Sequence, residues 1–166
     1  MIGWIAGFVD GEGCFSIGIY KQPDRQEKTR MRRGYKLGYQ AFPEFSVTQG
    51  AKSLDSLKIL QKFFGVGKIY HNKRYDNHKE HLYRFVIRKR KDIKNIIIPF
   101  FRKYPMRTAK QNDFEKFARC VKMIDNGEHL KKKGFIKIAQ IVSTMNRKKS
   151  RQSIINILRD QTSISR

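Results

Sequence analysis

Residues 4–13 read Trp4-Ile5-Ala6-Gly7-Phe8-Val9-Asp10-Gly11-Glu12-Gly13. The pattern predicts a short helix over 2–10, with Gly3, Gly7 and Gly11 recurring four apart along one side. Gly3 and Gly7, with Ala6 beside them, let a second backbone pack closely, as small-xxx-small surfaces do. Asp10 and Glu12 follow where the helix turns into a strand. Such a carboxylate pair is out of character in a chain with 37 Lys and Arg against 14 Asp and Glu, unless it holds a cation. Hard oxygen ligands suit Mg²⁺, which binds through one or two carboxylates, waters and a substrate phosphate.

Working outward, residues 14–22 alternate, with Phe15, Ile17 and Ile19 on one face and Ser16, Gly18, Tyr20 and Gln22 on the other. The polar, basic stretch 23–34 predicts a long hairpin tip. Residues 36–48 return as a second strand. Leu37, Ala41, Pro43, Phe45 and Val47 share one parity, and Gln40, Phe42, Glu44, Ser46 and Thr48 the other. Leu54, Leu57, Leu60 and Phe64 predict a helix over 53–64, closed by Gly65. Residues 67–75 and 81–88 predict a second hairpin around a polar tip at 76–80. Asp92 is expected to cap a helix carrying Ile93, Ile96, Ile97 and Phe100. Thr108 and Gln111 suggest a capping box for a helix that buries Phe114, Phe117, Val121 and Ile124. Two C-terminal helices follow near 128–144 and 150–159. The order implies one α+β domain over 1–166 with a four-stranded antiparallel sheet.

The charge points to the partner. The 166 residues carry a net charge of +23, a field that binds polyanions, nucleic acid foremost. No apolar run approaches the roughly 20 residues of a membrane span, and none has a signal-peptide layout. The basic residues do not line one face of a long amphipathic helix, which argues against a membrane-surface protein. Cys14 and Cys120 form no CxxC, so neither a disulfide framework nor a Cys-ligated zinc site is expected, and the chain reads as intracellular and reduced. His71, His78, His81 and His129 lack metal-ligand spacing. A twisted antiparallel ribbon fits the DNA major groove. The strand faces opposite the apolar parity are therefore the candidate DNA surface: Ser16, Tyr20, Gln22, Gln40, Glu44, Ser46, Thr48, Lys68, Tyr70, Asn72 and Arg84.

The stretch Ile5 to Gly13, IAGFVDGEG, resembles the LAGLIDADG motif of homing endonucleases. Further stretches resemble single-motif members in the same order: FSVTQ at 45–49, GVG at 65–67, YP at 104–105, KQNDF at 110–114 and NGEHL at 126–130. The resemblance implies an αββαββα core with the sheet as a DNA saddle, additional C-terminal helices, and the motif helix as a dimer interface through Gly3, Ala6, Gly7 and Asp10. It makes Glu12 the metal-binding acid, where most relatives have Asp, and Gly11 a carbonyl ligand. Asp10 would cap or support the packed helices. Gln49 matches a residue that positions water. Lys110 matches a lysine near the scissile phosphate, with Arg107 and Thr108 as neighbouring alternatives for that role.

The chain has one motif copy, and cleavage of two strands needs two acids, so the reading is a homodimer on a near-palindromic target. The expected activity is metal-dependent, site-specific double-strand DNA cleavage of the intron or intein homing type. Mg²⁺ is the expected cofactor, in a site that Mn²⁺ or Ca²⁺ can also occupy. An intron RNA maturase and a non-cleaving DNA-binding regulator are the alternatives. Richness in Lys, Ile and Asn suits an AT-rich genome, such as that of a mitochondrion or chloroplast, with a prokaryotic cytoplasm as the other compartment. The chain starts within a few residues of the motif, as a trimmed form of a longer protein would.

Overall fold

Helix α1 (Ile2–Glu12) runs directly into strand β1 (Gly13–Lys21) with no loop between them. Gly13 makes that junction possible. A Cβ there would lie 2.5 Å from Val9 Cγ1 and 2.7 Å from the Val9 carbonyl oxygen, which accepts the Gly13 N–H. These elements belong to a computed structural model that describes residues 1–22, 24–73, 80–146 and 150–160.

The stretch expected as a plain hairpin tip contains a small antiparallel ribbon, β2 (Arg25–Gln26) with β3 (Met31–Arg32). Strand β4 (Tyr39–Gly50) leads to helix α2 (Leu54–Phe64), which Gly65 ends in the left-handed conformation (φ 66°), as the sequence predicts. Strands β5 (Lys68–Asn72) and β6 (Leu82–Ile87) form the second hairpin. Of its predicted tip only Glu80 is among the described residues; positions 76–79, His78 included, lie outside them. The sheet order is β1-β4-β6-β5, and β6 pairs antiparallel with both β4 and β5.

Two local expectations are corrected downstream. The helix assigned to Asp92 is broken into α3 (Arg90–Asp92), a π turn over Ile93–Ile97 and α4 (Ile98–Lys103). Lys89, not Asp92, stands at its N-terminus, and Asp92 sits inside the first turn with its carboxylate 3.9 Å from Lys89 Nζ. Pro99 has no N–H to return to the preceding turn, and the hydrogen-bond ladder widens just before it. Helix α5 (Lys110–Asp125) follows, then α6 (Lys132–Ser143) and α7 (Gln152–Asp160). The capping box expected at α5 does not form. Gln111 Oε1 accepts from the Met106 N–H at 3.0 Å instead of reaching Thr108, and the Thr108 N–H is taken by Asp10.

The chain divides into two compact units. The first, Met1–Phe15 with Pro43–Phe114, has a phenylalanine core. Phe15 stacks on Phe45 at 5.1 Å and meets Phe114 and Phe101 edge-on at 5.2 and 5.4 Å. Each such ring hidden from water contributes roughly 1.5–3 kcal/mol. The second unit, Ser16–Phe42 with Glu115–Arg166, buries Ile17, Ile19, Tyr39, Phe117, Phe135, Ile138 and Leu158. Burial also pushes its Cys120 thiol up to about 12, the behaviour of a small apolar residue and not of a nucleophile. The predicted β1 parity holds, with Phe15, Ile17 and Ile19 all buried. In β4 the alternation fails from Pro43 to Val47, where every residue is buried.

Candidate functional site

The last turn of α1 leaves backbone carbonyls without intrahelical partners and carries the negative end of the helix dipole. No basic residue of α1 itself answers them. The answer comes from Lys110, at the start of α5. Its ammonium donates to the Gly11 carbonyl at 2.9 Å and to the Val9 carbonyl at 3.2 Å. Burial pulls the Lys110 pKa down, and the fields of Asp10, Cys14, Glu12 and Asp113 offset only part of that.

Asp10 fixes the approach of that lysine. One carboxylate oxygen accepts the Arg107 N–H at 2.7 Å and the Thr108 N–H at 3.2 Å; the other accepts the Thr108 hydroxyl at 2.5 Å. Thr108 Oγ1 in turn accepts the Lys110 N–H at 3.2 Å. Burial works to raise the Asp10 pKa, but the Thr108 hydroxyl, the two backbone N–H groups and the Lys110 charge outweigh it and hold the carboxyl below its ordinary value. The motif's first acid is thus consumed by its own chain, in a supporting role. Of the three residues considered for the basic position, only Lys110 brings its cation to the motif. Arg107 lends a backbone N–H, and Thr108 joins the two sides.

Glu12 is the exposed last residue of α1, one position beyond the Gly11 carbonyl. Among the described residues no group of three or more His, Cys, Asp or Glu converges as a metal cage. One carboxylate and one carbonyl oxygen suit a hard cation only as part of a site. Gln49, near the end of β4, pairs with Tyr83 and shares the parity of Phe45 and Val47, not that of Ser46 and Thr48. It is half-exposed there.

The exposed side of α1 is open. A Cβ added at Gly3, Gly7 or Gly11 would meet nothing within 4 Å, so nothing in the chain's own packing requires their small size. Beside them the rings of Trp4 and Phe8 stack at 4.9 Å, and Ile2 and Trp4 are exposed.

The candidate DNA surface is found on both units. In the second, Gln22 Nε2 donates to Gln40 Oε1 at 3.2 Å, and Tyr20 stacks on Phe42 at 5.2 Å. Gly18 gives that stack its room, since a Cβ would come within 2.6 Å of the Tyr20 ring and 2.9 Å of Phe42. Ser16 lies half-buried on the same parity. In the first unit, Tyr70, Arg84 and Thr48 form one row across the sheet, with Lys68, Val86 and Ser46 in the next and Asn72 opposite Leu82. Lys68, Tyr70 and Asn72 are exposed. Glu44 and Ser46 depart from the expected wet face, at 7% and 2% exposed. Arginines cover them: Arg84 Nη2 donates to Glu44 and, at 3.0 Å, to Ser46 Oγ, while Arg88 Nε donates to Glu44 Oε2 at 2.5 Å. A shallow groove of about 260 Å³, lined by Gly67, Lys68, Tyr70, Val86, Ile87, Arg88, Lys89 and Asp92, opens beside them.

The LAGLIDADG endonuclease profile aligns with residues 5–121. The chain belongs to that family. It is 33% identical over 142 residues to a Neurospora crassa protein named probable intron-encoded endonuclease 2, covering 86% of this chain and 26% of that one. The chain thus spans about a quarter of the length of the first curated relatives it matches. Its fold is similar to that of the homing endonuclease I-TnaI, with a TM-score of 0.75 and 38% identity over 96% of this chain and 97% of that one. It is similar also to I-SmaMI bound to an uncleaved DNA target in the presence of calcium ions. There the TM-score is 0.74 and the identity 28%, over 99% of this chain and 49% of that one.

Two features of this LAGLIDADG chain escaped sequence reasoning. Arg88 lies just past the end of β6, and only the register places it beside Glu44. The Thr108 bridge was hidden by a capping-box spelling, which named the right residue for the wrong bond. Cys14 shows no sign of a nucleophile, since burial raises its pKa. His71 stacks on Tyr83 at 4.8 Å with His81 edge-on at 5.1 Å, an aromatic cluster at the sheet edge. Among the described residues no helix is long and apolar enough to cross a membrane.

Proposed function

We propose that the protein is a site-specific, double-strand DNA endonuclease of the homing type, working as a homodimer with one endonuclease domain per chain. The carrying observation is the end of α1, where one exposed acid, Glu12, stands beside the Lys110 ammonium and next to an unpartnered glycine face. Two copies packed through Gly3, Ala6 and Gly7 would bring two Glu12 carboxylates together, with Asp10 holding each Arg107–Thr108 segment in place. The match to about half of I-SmaMI, against nearly all of I-TnaI, supports an assembly of two such units.

Glu12 and the Gly11 carbonyl would hold a divalent cation, Mg²⁺ by preference, with Mn²⁺ or Ca²⁺ able to take its place; the calcium ions in the I-SmaMI complex support the class. When bound, such an ion polarises the phosphate and makes water a better nucleophile. Lys110 would leave the Gly11 carbonyl and set its positive charge against the scissile phosphate, where negative charge grows in the transition state. The Gln49 amide would orient the attacking water. The sheet residues would position the duplex by phosphate contacts and read it by base contacts. The N. crassa relative is intron-encoded by name, and we place this gene in an intron as well, with the compartment as the composition suggests.

The test is Glu12→Gln, which keeps the shape and removes the charge. Gel-shift affinity without metal should persist, because affinity comes mainly from the cationic surface. Cleavage with Mg²⁺ should fall by orders of magnitude. Loss of both would make Glu12 a structural residue, and retention of both would move the chemistry elsewhere.

A further inference from the structure

Alternation along β1 sets Ser16, Gly18, Tyr20 and Gln22 opposite the core, on the side of the sheet where polar residues belong. Within the second unit, Tyr20 and Phe42 depart from that rule. Phe42 shares the parity of Gln40 in β4, and its ring stacks on that of Tyr20, with 5.2 Å between centroids and 14° between planes. Gly18 is the floor beneath them. A Cβ there would come within 2.6 Å of the Tyr20 ring and 2.9 Å of the Phe42 ring. A glycine inside a strand weakens it and marks a close approach, here that of the two rings. Tyr20 is 56% exposed and Phe42 half-buried, so the stack is an apolar island on a wet face. Its surroundings are polar and cationic. Gln22 and Gln40 follow on the same face, joined by an amide hydrogen bond at 3.2 Å. The chain leaves this face through Lys21 and returns through Lys36, with Arg25 and Arg33 between them, and all four are exposed.

We infer that the Tyr20–Phe42 stack reads the C5-methyl group of a pyrimidine, thymine in ordinary DNA, at one position of each half-site. The inference rests on the endonuclease reading for its choice of duplex DNA as partner. A broad apolar partner would bury the neighbouring cations unpaired, which is costly. A polyanion bearing one small apolar group satisfies both the rings and the cations. In the major groove that group is unique, since thymine alone shows a methyl among the donors and acceptors of the base edges. Contact with the rings takes the methyl out of water and favours thymine over bases that lack it. Two rings already stacked on each other lose little freedom on contact, so most of that gain is kept.

The experiment first selects bound duplexes from a random library with metal-free wild type, alongside cleavage of the same library with Mg²⁺. Each thymine of the selected site is then replaced in turn by deoxyuridine, which removes only the methyl, and affinity is measured by gel shift. One thymine per half-site should lose about fourfold in affinity, the worth of burying one methyl group. Phe42→Ala should abolish the difference between thymine and uracil at that position and keep any difference elsewhere. With cytosine placed there, 5-methylcytosine should bind the wild type more tightly than cytosine, and Phe42→Ala should bind both alike. The inference is overturned if uracil weakens wild-type binding at no position, or if Phe42→Ala keeps the full methyl effect. Equal loss of the methyl effect at every thymine also overturns it. If thermal melting shows Phe42→Ala unfolded, Tyr20→Ser at the exposed ring replaces it, and an unchanged methyl effect there overturns the inference. A wild type that selects sites but cleaves none defeats the nuclease reading alone. A wild type that selects no sequence defeats the inference.

Discussion

Asp10 at the end of α1 and Glu44 in the middle of β4 are both carboxylates kept in a strongly cationic chain, and they serve opposite ends. Asp10 takes backbone N–H groups and a hydroxyl from a segment 97 residues away. Glu44 takes two guanidinium groups, one from Arg84 in β6 and one from Arg88 just past it. Backbone donors cannot be changed by substitution, so a carboxylate bound to them locks geometry whatever side chains surround it. Guanidinium partners are long, replaceable and half-exposed. The helix end is therefore held by backbone donors, and the strand centre by side chains alone.

That contrast can be broken most sharply at Lys110. Lys110→Met should lower the cleavage rate on the order of 10²–10³-fold, the usual loss of one charge stabiliser, with base preference unchanged. A changed preference profile in cleaved-site sequencing would erase the division between the two regions.

The next effect is steric and separates the junction glycine from the face glycines. Gly13→Ala should destabilise the fold by about 1–3 kcal/mol in urea titration, because its Cβ would overlap Val9. Gly7→Leu should leave the isolated fold intact, since nothing lies within 4 Å of a Cβ there, and should break the dimer in sedimentation. An unchanged Gly7→Leu dimer would remove α1 as the interface.

Asp10→Asn should cost about 1–2 kcal/mol through weakened hydrogen bonds. Its pH dependence has a definite sign. The folded-state pKa is depressed, so the stabilisation is complete above the unfolded value near 3.9 and fades as pH falls through the lower folded value. The gap between wild type and Asp10→Asn should hold steady from about pH 7 to 5 and shrink below about pH 4. A gap that widens in acid would contradict the hydrogen-bonded carboxylate.

The most local effect belongs to the sheet. Tyr70→Ala or Gln40→Ala should shift preference at single base pairs by roughly 1–3 kcal/mol per site, while a phosphate-contacting lysine changed to Ala should lower the salt slope by about 0.9 at all sites alike. Equal loss at every base pair in the Tyr70 or Gln40 variants would move them to the phosphate class.

Much of this was legible in the sequence where neighbours along the chain decide the outcome. The buried parity of Phe15, Ile17 and Ile19, the stop at Gly65 and the acid at the end of the motif helix depend on residues within a turn or two. The failures share a cause. Asp92 and the Thr108–Gln111 pair have the spelling of local caps, but a proline seven residues after Asp92 and a carboxylate 98 residues before Thr108 claimed the backbone instead.

The sequence by itself determined most of the elements, the cationic character and the family, because periodicity and a contiguous motif are properties of nearest neighbours. Only the tertiary structure decided that Lys110 rests on the Gly11 carbonyl, that Asp10 spends itself on Thr108, and that Glu44 lies beneath Arg84 and Arg88. Each of those bonds joins residues 40 or more apart. Strand register and the end-on meeting of two helices bring them together, and no local pattern encodes which distant donor a buried carboxylate will find.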